Sequence, residues 1–99
     1  MAMNLVIKTS DLRKITNLLF DHIEQDLQIS SIPIEEDNYW NVPTEGLYNA
    51  LKDPTDLDMG QLYEDWDFLT KITNKEEAVS LMMIHLAPLL RYVGEKIGQ

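Results

Sequence analysis

The chain of 99 residues contains no cysteine. A disulfide framework, a thiol nucleophile and a thiolate metal site are therefore excluded, and a reducing, cytoplasmic setting is favoured. Glycine and proline number four each, too few for a glycine-rich phosphate loop or a low-complexity linker, and no serine stands in a G-x-S-x-G elbow. The longest apolar run, Ala78 to Leu90, has ten apolar residues in 13 and is interrupted by Ser80, His85 and Pro88. That is short of the roughly 20 residues a bilayer span needs. The opening MAMNLVIKTSDLRK has no basic segment leading into a long apolar run and no small-residue cleavage site, so no secretory signal is read.

Basic residues are the other scarcity. From Asp21 to Asp67 there are 13 acids and one base, Lys52, whereas the remainder has a net charge of +3, which gives −9 for the whole. Nucleic-acid binding needs a basic footprint, and none exists. An acidic middle repels phosphate and anionic lipid and attracts basic surfaces. Solubility alone is the plain reading of such charge.

What is present suits a single, mainly helical domain. Thr9 or Ser10 is a candidate N-cap, with Asp11 in the first turn. Leu12, Ile15, Leu18, Leu19, Ile23 and Leu27 then recur at spacings of three and four, predicting a helix over about 11–27. The stretch QISSIPIEEDNYWNVP changes character. Ile32 and Ile34 opposite Tyr39 and Val42, across a turn at Glu35 to Asn38, predict a small hairpin or an ordered loop near 32–42. Asp58 with Gln61 forms a candidate capping box for a second helix over about 59–73. Asn74 with Glu77 forms another, for a third helix over about 75–96. Its apolar residues go all round, which marks a central helix, and Pro88 predicts a bend.

In the second helix, Leu62, Trp66, Leu69 and Thr73 fall on one core stripe, widened by Phe68, Ile72 and Tyr63. Glu64, Asp67 and Lys71 lie opposite, where Asp67 and Lys71 form an i, i+4 pair. Asp65 is the anomaly, because it falls inside the apolar arc, where a carboxylate is costly unless paired. It is either a buried anchor, bonded to backbone N–H groups, the Trp40 indole, a tyrosine hydroxyl or Arg91, or an acid at the edge of a contact surface. Tyr39, Trp40, Tyr48, Tyr63 and Trp66 all lie within 28 residues of the acidic middle. Tyrosine and tryptophan are also the usual anchors of protein interfaces.

Metal and catalytic signals are weak. Counting from Asp56, the DPTDLDMG stretch puts glycine at position 5 and aspartate at position 12, out of step with a calcium loop. His22 and Asp26 are one helical turn apart, without a third ligand. His85, in the apolar final helix, suits a hydrogen-bonded core histidine better than a general base. No metal, cofactor or enzymatic activity is expected.

The combination YWNVP, GQLYEDW and LAPLLRYVGE, spread from Tyr39 to Glu95, resembles a pattern recurring in small bacterial proteins, and that resemblance implies no particular activity. In size, acidity and lack of catalytic groups the chain also resembles small bacterial immunity proteins, which neutralise basic nuclease toxins. This likeness of composition implies a basic protein partner and transfers no site residues. The expectation is thus a non-enzymatic acidic module that binds a basic protein through Glu35, Glu36, Asp37, Trp40, Asp58, Tyr63, Asp65 and Trp66, with no nucleic acid or membrane involved. The alternative is a structural homodimer that uses the apolar C-terminal helix.

Overall fold

The computed structural model describes residues 5–54, 56–72 and 79–98. They comprise three main helices, a one-turn helix and a two-stranded antiparallel ribbon. By contact density the chain divides into two units, residues 1–32 and 33–99.

In the first unit, α1 (Thr9–Asp21) continues into a π-helical turn over His22–Asp26. The predicted helix is therefore present, with a widened last turn. Neither Thr9 nor Ser10 caps it. Lys8 is the cap residue, and its carbonyl accepts from the amides of Asp11 and Leu12 at 3.0 and 3.2 Å. The chain leaves the helix through Gln28, whose φ of 57° lies in the left-handed region, and the Ile29 amide returns to the Ile23 carbonyl at 3.0 Å. Ile23 is buried, but no residue of α1 itself is.

In the second unit, β1 (Asn38–Asn41) pairs with β2 (Asp58–Gln61) in the register Asn38–Gln61, Tyr39–Gly60, Trp40–Met59 and Asn41–Asp58. This corrects the expected hairpin. The aromatic strand is there, but its partner lies beyond the one-turn α2 (Thr44–Leu47), not at Ile32 to Ile34. The expected capping box is corrected as well. Asp58 lies in β2, and the third helix of the chain, α3 (Leu62–Thr70), starts three residues later than predicted and ends earlier. Glycine at position 60 opposes helix, and Tyr39 and Trp40 opposite it supply a β-prone partner.

The cap of α3 comes from far away in sequence. The Leu62 amide donates to the Asp37 carbonyl at 2.8 Å, and the Tyr63 amide donates to Asp37 Oδ1 at 2.9 Å. One aspartate at the head of β1 thus satisfies two of the amides that a helix start leaves unpaired.

The final helix, α4 (Val79–Ile97), runs through Pro88 without interruption. Its expected start near 75, and the Asn74–Glu77 box, lie outside the described residues. It packs on α3. Their shared core is Leu62, Leu89 and Tyr92, with Ile34, Tyr39 and Leu69 packed against it. The expectation of a helix surrounded on all sides is not met, since Val79, Met83 and Ile84 stay at least half exposed. Among the described residues no helix is long and apolar enough to cross a membrane.

Candidate functional site

Two stripes at helical spacing meet between α3 and α4. On α3 the inward positions are Leu62, Asp65 and Leu69; on α4 they are His85, Leu89 and Tyr92. Residues three and four apart share a helix face, so the facing stripes bring Asp65 to His85. The predicted stripe on α3 is thereby corrected. Trp66 and Tyr63 point to solvent, at 61% and 57% exposure, whereas Asp65 is only 4% exposed. The core face is rotated toward the acid because partners wait for it there.

Those partners are Tyr39 and His85. Asp65 Oδ2 accepts the Tyr39 hydroxyl at 2.6 Å, and Oδ1 lies 2.7 Å from His85 Nδ1. Both carboxylate oxygens are engaged, as a buried carboxylate requires. The His85 ring also stacks on Phe68, with centroids 4.2 Å apart. Burial, and then the hydrogen bond to Asp65 and the charge of Asp65, push the Tyr39 phenol well above its usual value.

Tyr39 reaches Asp65 because of Gly60. The two are directly opposite in the ribbon, and a Cβ on Gly60 would run into the Tyr39 ring. The bare glycine backbone lets the ring lie across β2, so its hydroxyl arrives at the helix that β2 leads into.

The acidic segment before β1 is fastened on both sides. The Tyr63 hydroxyl donates to the Ile34 carbonyl at 3.1 Å, and the Glu35 amide donates to the Tyr92 hydroxyl at 2.9 Å. Lys96 Nζ pairs with Glu35 Oε2 at 2.9 Å and lies 5.7 Å from the centroid of the Tyr92 ring. Its ammonium is held above the usual lysine value, chiefly by the Glu35 hydrogen bond.

The eight candidate residues therefore separate into two groups. Glu35, Asp37 and Asp65 serve the fold itself, as ion pair, helix cap and buried anchor. Glu36, Trp40, Asp58 and Trp66 are exposed, and among the described residues they have no side-chain hydrogen bond or ion pair. Tyr63 belongs to both groups, exposed on its ring and bonded at its hydroxyl. Trp40, 69% exposed, lines a groove of about 310 Å³ together with Glu36, Asn38, Pro88, Arg91 and Glu95. Asp67 pairs with Lys71 as expected, at 2.9 Å.

Tyr39 and Gly60 belong to the site although no local pattern marks them for it. His85 was legible as a hydrogen-bonded histidine but not as the partner of Asp65, although its spacing to Leu89 and Tyr92 would have placed it on the inward face of α4. An ionised carboxylate only accepts, so His85 Nδ1 is the nitrogen that donates to Asp65. No group of three or more potential metal ligands exists among the described residues. His22 and Asp26 bond to each other, at 2.8 Å. Compared with known proteins, the chain matches no family model, no curated protein and no solved structure.

Proposed function

We propose that the chain is a non-enzymatic, cytoplasmic protein-binding module whose acidic, aromatic surface on residues 33–99 meets a basic protein partner. Its sharpest form is an immunity-type inhibitor of a basic nuclease toxin. The observation that carries this reading is the exposure of Trp40, Tyr63 and Trp66 at 69, 57 and 61% among carboxylates that the fold leaves unused. Large aromatics at the surface are costly in water and are the side chains that dominate protein interfaces. Glu36, Asp58 and Glu64 are exposed beside them, and give the surface the charge that a basic partner would seek. In the groove beside Trp40, an incoming lysine or arginine side chain would find an aromatic face and the Glu36 carboxylate together.

The test is capture of basic proteins at low and high salt by the native chain and by the variants Trp40→Ala and Glu36→Lys. A partner held at low salt, released at high salt and lost with either variant supports the reading. Capture that neither variant changes at low salt removes it.

A second reading, a homodimer through α4, draws on Val79, Met83 and Ile84, which stay exposed along that helix. A concentration-dependent dimer abolished by Met83→Lys supports it, and a dimer indifferent to that change rejects it.

A further inference from the structure

The strand β1 has a neighbour on one side only, β2. The phase of their ladder is set where the Leu62 amide donates to the Asp37 carbonyl, because bonded and non-bonded positions alternate along an antiparallel pair. Tyr39 and Asn41 therefore turn their backbone groups toward β2. Asn38 and Trp40 turn theirs away, and among the described residues nothing bonds to those amides or carbonyls. No lysine, proline or bulge guards Asn38–Asn41, although these are the devices by which an edge strand refuses a neighbour.

The groove beside Trp40 follows this same edge. Asn38, Tyr39 and Trp40 all line it, together with Pro88, Arg91 and Glu95 of α4. Successive side chains of a strand point to opposite faces, so three in a row meet one groove only along the strand's margin. That margin is the one away from β2, which contributes none of the lining.

We propose that β1 accepts an extended segment of a basic partner as a third strand, paired with Asn38 and Trp40 across the groove from α4. This mode of binding rests on the basic partner proposed above and adds how it is held. Main-chain bonds supply the attachment, and a lysine or arginine lying over Trp40 beside Glu36 supplies the selection. Charge decides the occupant. Arg91 is taken by Glu95, at 3.3 Å, whereas Glu36 and Asp58 have no ion pair among the described residues. A second copy of the chain is the wrong occupant, since pairing β1 with itself would crowd Glu36, Asp37 and Asp58 of two copies along one edge.

The probe is a capped peptide of alternating lysine and valine, about eight residues long so that it overreaches the strand, titrated onto the full chain. Two further forms carry N-methyl groups, one on its lysine amides and the other on its valine amides. Only one alternate set of amides in an added strand faces β1. One methylated form should therefore bind on the order of tenfold more weakly, or worse, and the other like the parent. Amide exchange gives a second readout. The Asn38 and Trp40 amides should become protected on binding, while those of Tyr39 and Asn41, already bonded to β2, should change little.

A parent peptide that does not bind, equal effects of the two methylations, or unaltered exchange at Asn38 and Trp40 would each overturn the added strand. Binding lost with Trp40→Ala but indifferent to both methylations would reject the third strand and leave the basic partner standing. The expected methylation pattern with binding that ignores both salt and Glu36→Lys would remove the basic partner and keep the strand.

Discussion

The two units solve the same problem differently. Residues 33–99 hide their most expensive group, the Asp65 carboxylate, by giving each of its oxygens a partner drawn from another element. The described part of residues 1–32 has no such device: no residue of α1 is buried, and its side-chain ion pair is the local one between His22 and Asp26. In the second unit a loop, a ribbon and two helices are tied by bonds between residues 20 to 61 positions apart. In the first, Thr16 Oγ1 bonds back to the carbonyls of Leu12 and Arg13 within its own helix. Stability is therefore concentrated where polar groups are buried and paired, and the exposed leucines of α1 are what remains when a helix has no such obligations.

The largest effect expected to break this contrast is Asp65→Ala. It leaves the Tyr39 hydroxyl and the His85 imidazole without their shared acceptor, and should cost about 3 kcal/mol, in the range for removing one member of a buried charged network. Urea unfolding followed by tryptophan fluorescence reads this directly, because Trp40 and Trp66 both lie in the second unit. A loss under 1 kcal/mol would show that the acid is dispensable. Next comes Gly60→Ala, whose methyl would collide with the Tyr39 ring and should cost about 2 kcal/mol, as overpacking does. A full-strength Tyr39–Asp65 bond in that variant, seen as an unchanged phenol titration, would contradict the geometry.

Tyr39→Phe should cost less, about 1 kcal/mol for one lost hydrogen bond, and it carries a pH signature. The phenol binds its proton more tightly folded than unfolded. Its contribution is complete below the unfolded value of about 10 and is lost as pH rises past it. Stability of the native chain should fall with alkaline pH in that window, and the fall should be shallower in Tyr39→Phe. Equal slopes would deny the coupling.

The smallest effects belong to the first unit. Gln28→Gly relieves a left-handed residue that is not glycine and should stabilise the turn by about 0.5 kcal/mol, after allowing for the freedom glycine adds to the unfolded chain. Circular dichroism, which sees α1, should register the gain, while tryptophan fluorescence should not. Coincident changes in both signals would mean that the two units unfold as one.

How much of this was legible from residues alone depends on the range of the contact. Leu12 to Leu27 announce α1 by period, and the apolar run before Leu90 announces α4, because helix periodicity is local. Asp65 announced itself too, as a charge in an apolar arc, and a tyrosine hydroxyl was among its expected partners. Which tyrosine was not readable, since Tyr39 is brought to it only through the pairing of β1 with β2, and nothing in a strand names a partner 20 residues away. The same gap explains the misplaced hairpin and the capping box that did not form. In both, a nearby residue fitted the rule and a distant one did the work. Of the candidate partner-binding acids, the sequence pattern could not separate those the fold consumes, Glu35, Asp37 and Asp65, from those it leaves at the surface.

The cap of α3 has a consequence for how this chain can be cut and rearranged. With nine residues, α3 is below the roughly 12 to 15 at which an isolated helix becomes even marginal. Its start signal, moreover, is Asp37, not any residue beside it. A peptide of residues 58–72 should then be unstructured, and helix and ribbon should form in a single event once the intervening loop has closed. The connection between the strands, by contrast, contributes no signal of its own to α3. Lengthening it should be tolerated, each doubling costing only about 0.6 kcal/mol, so the segment between Pro43 and Leu57 is where a tag or a second domain could be inserted without extinguishing the helix it precedes.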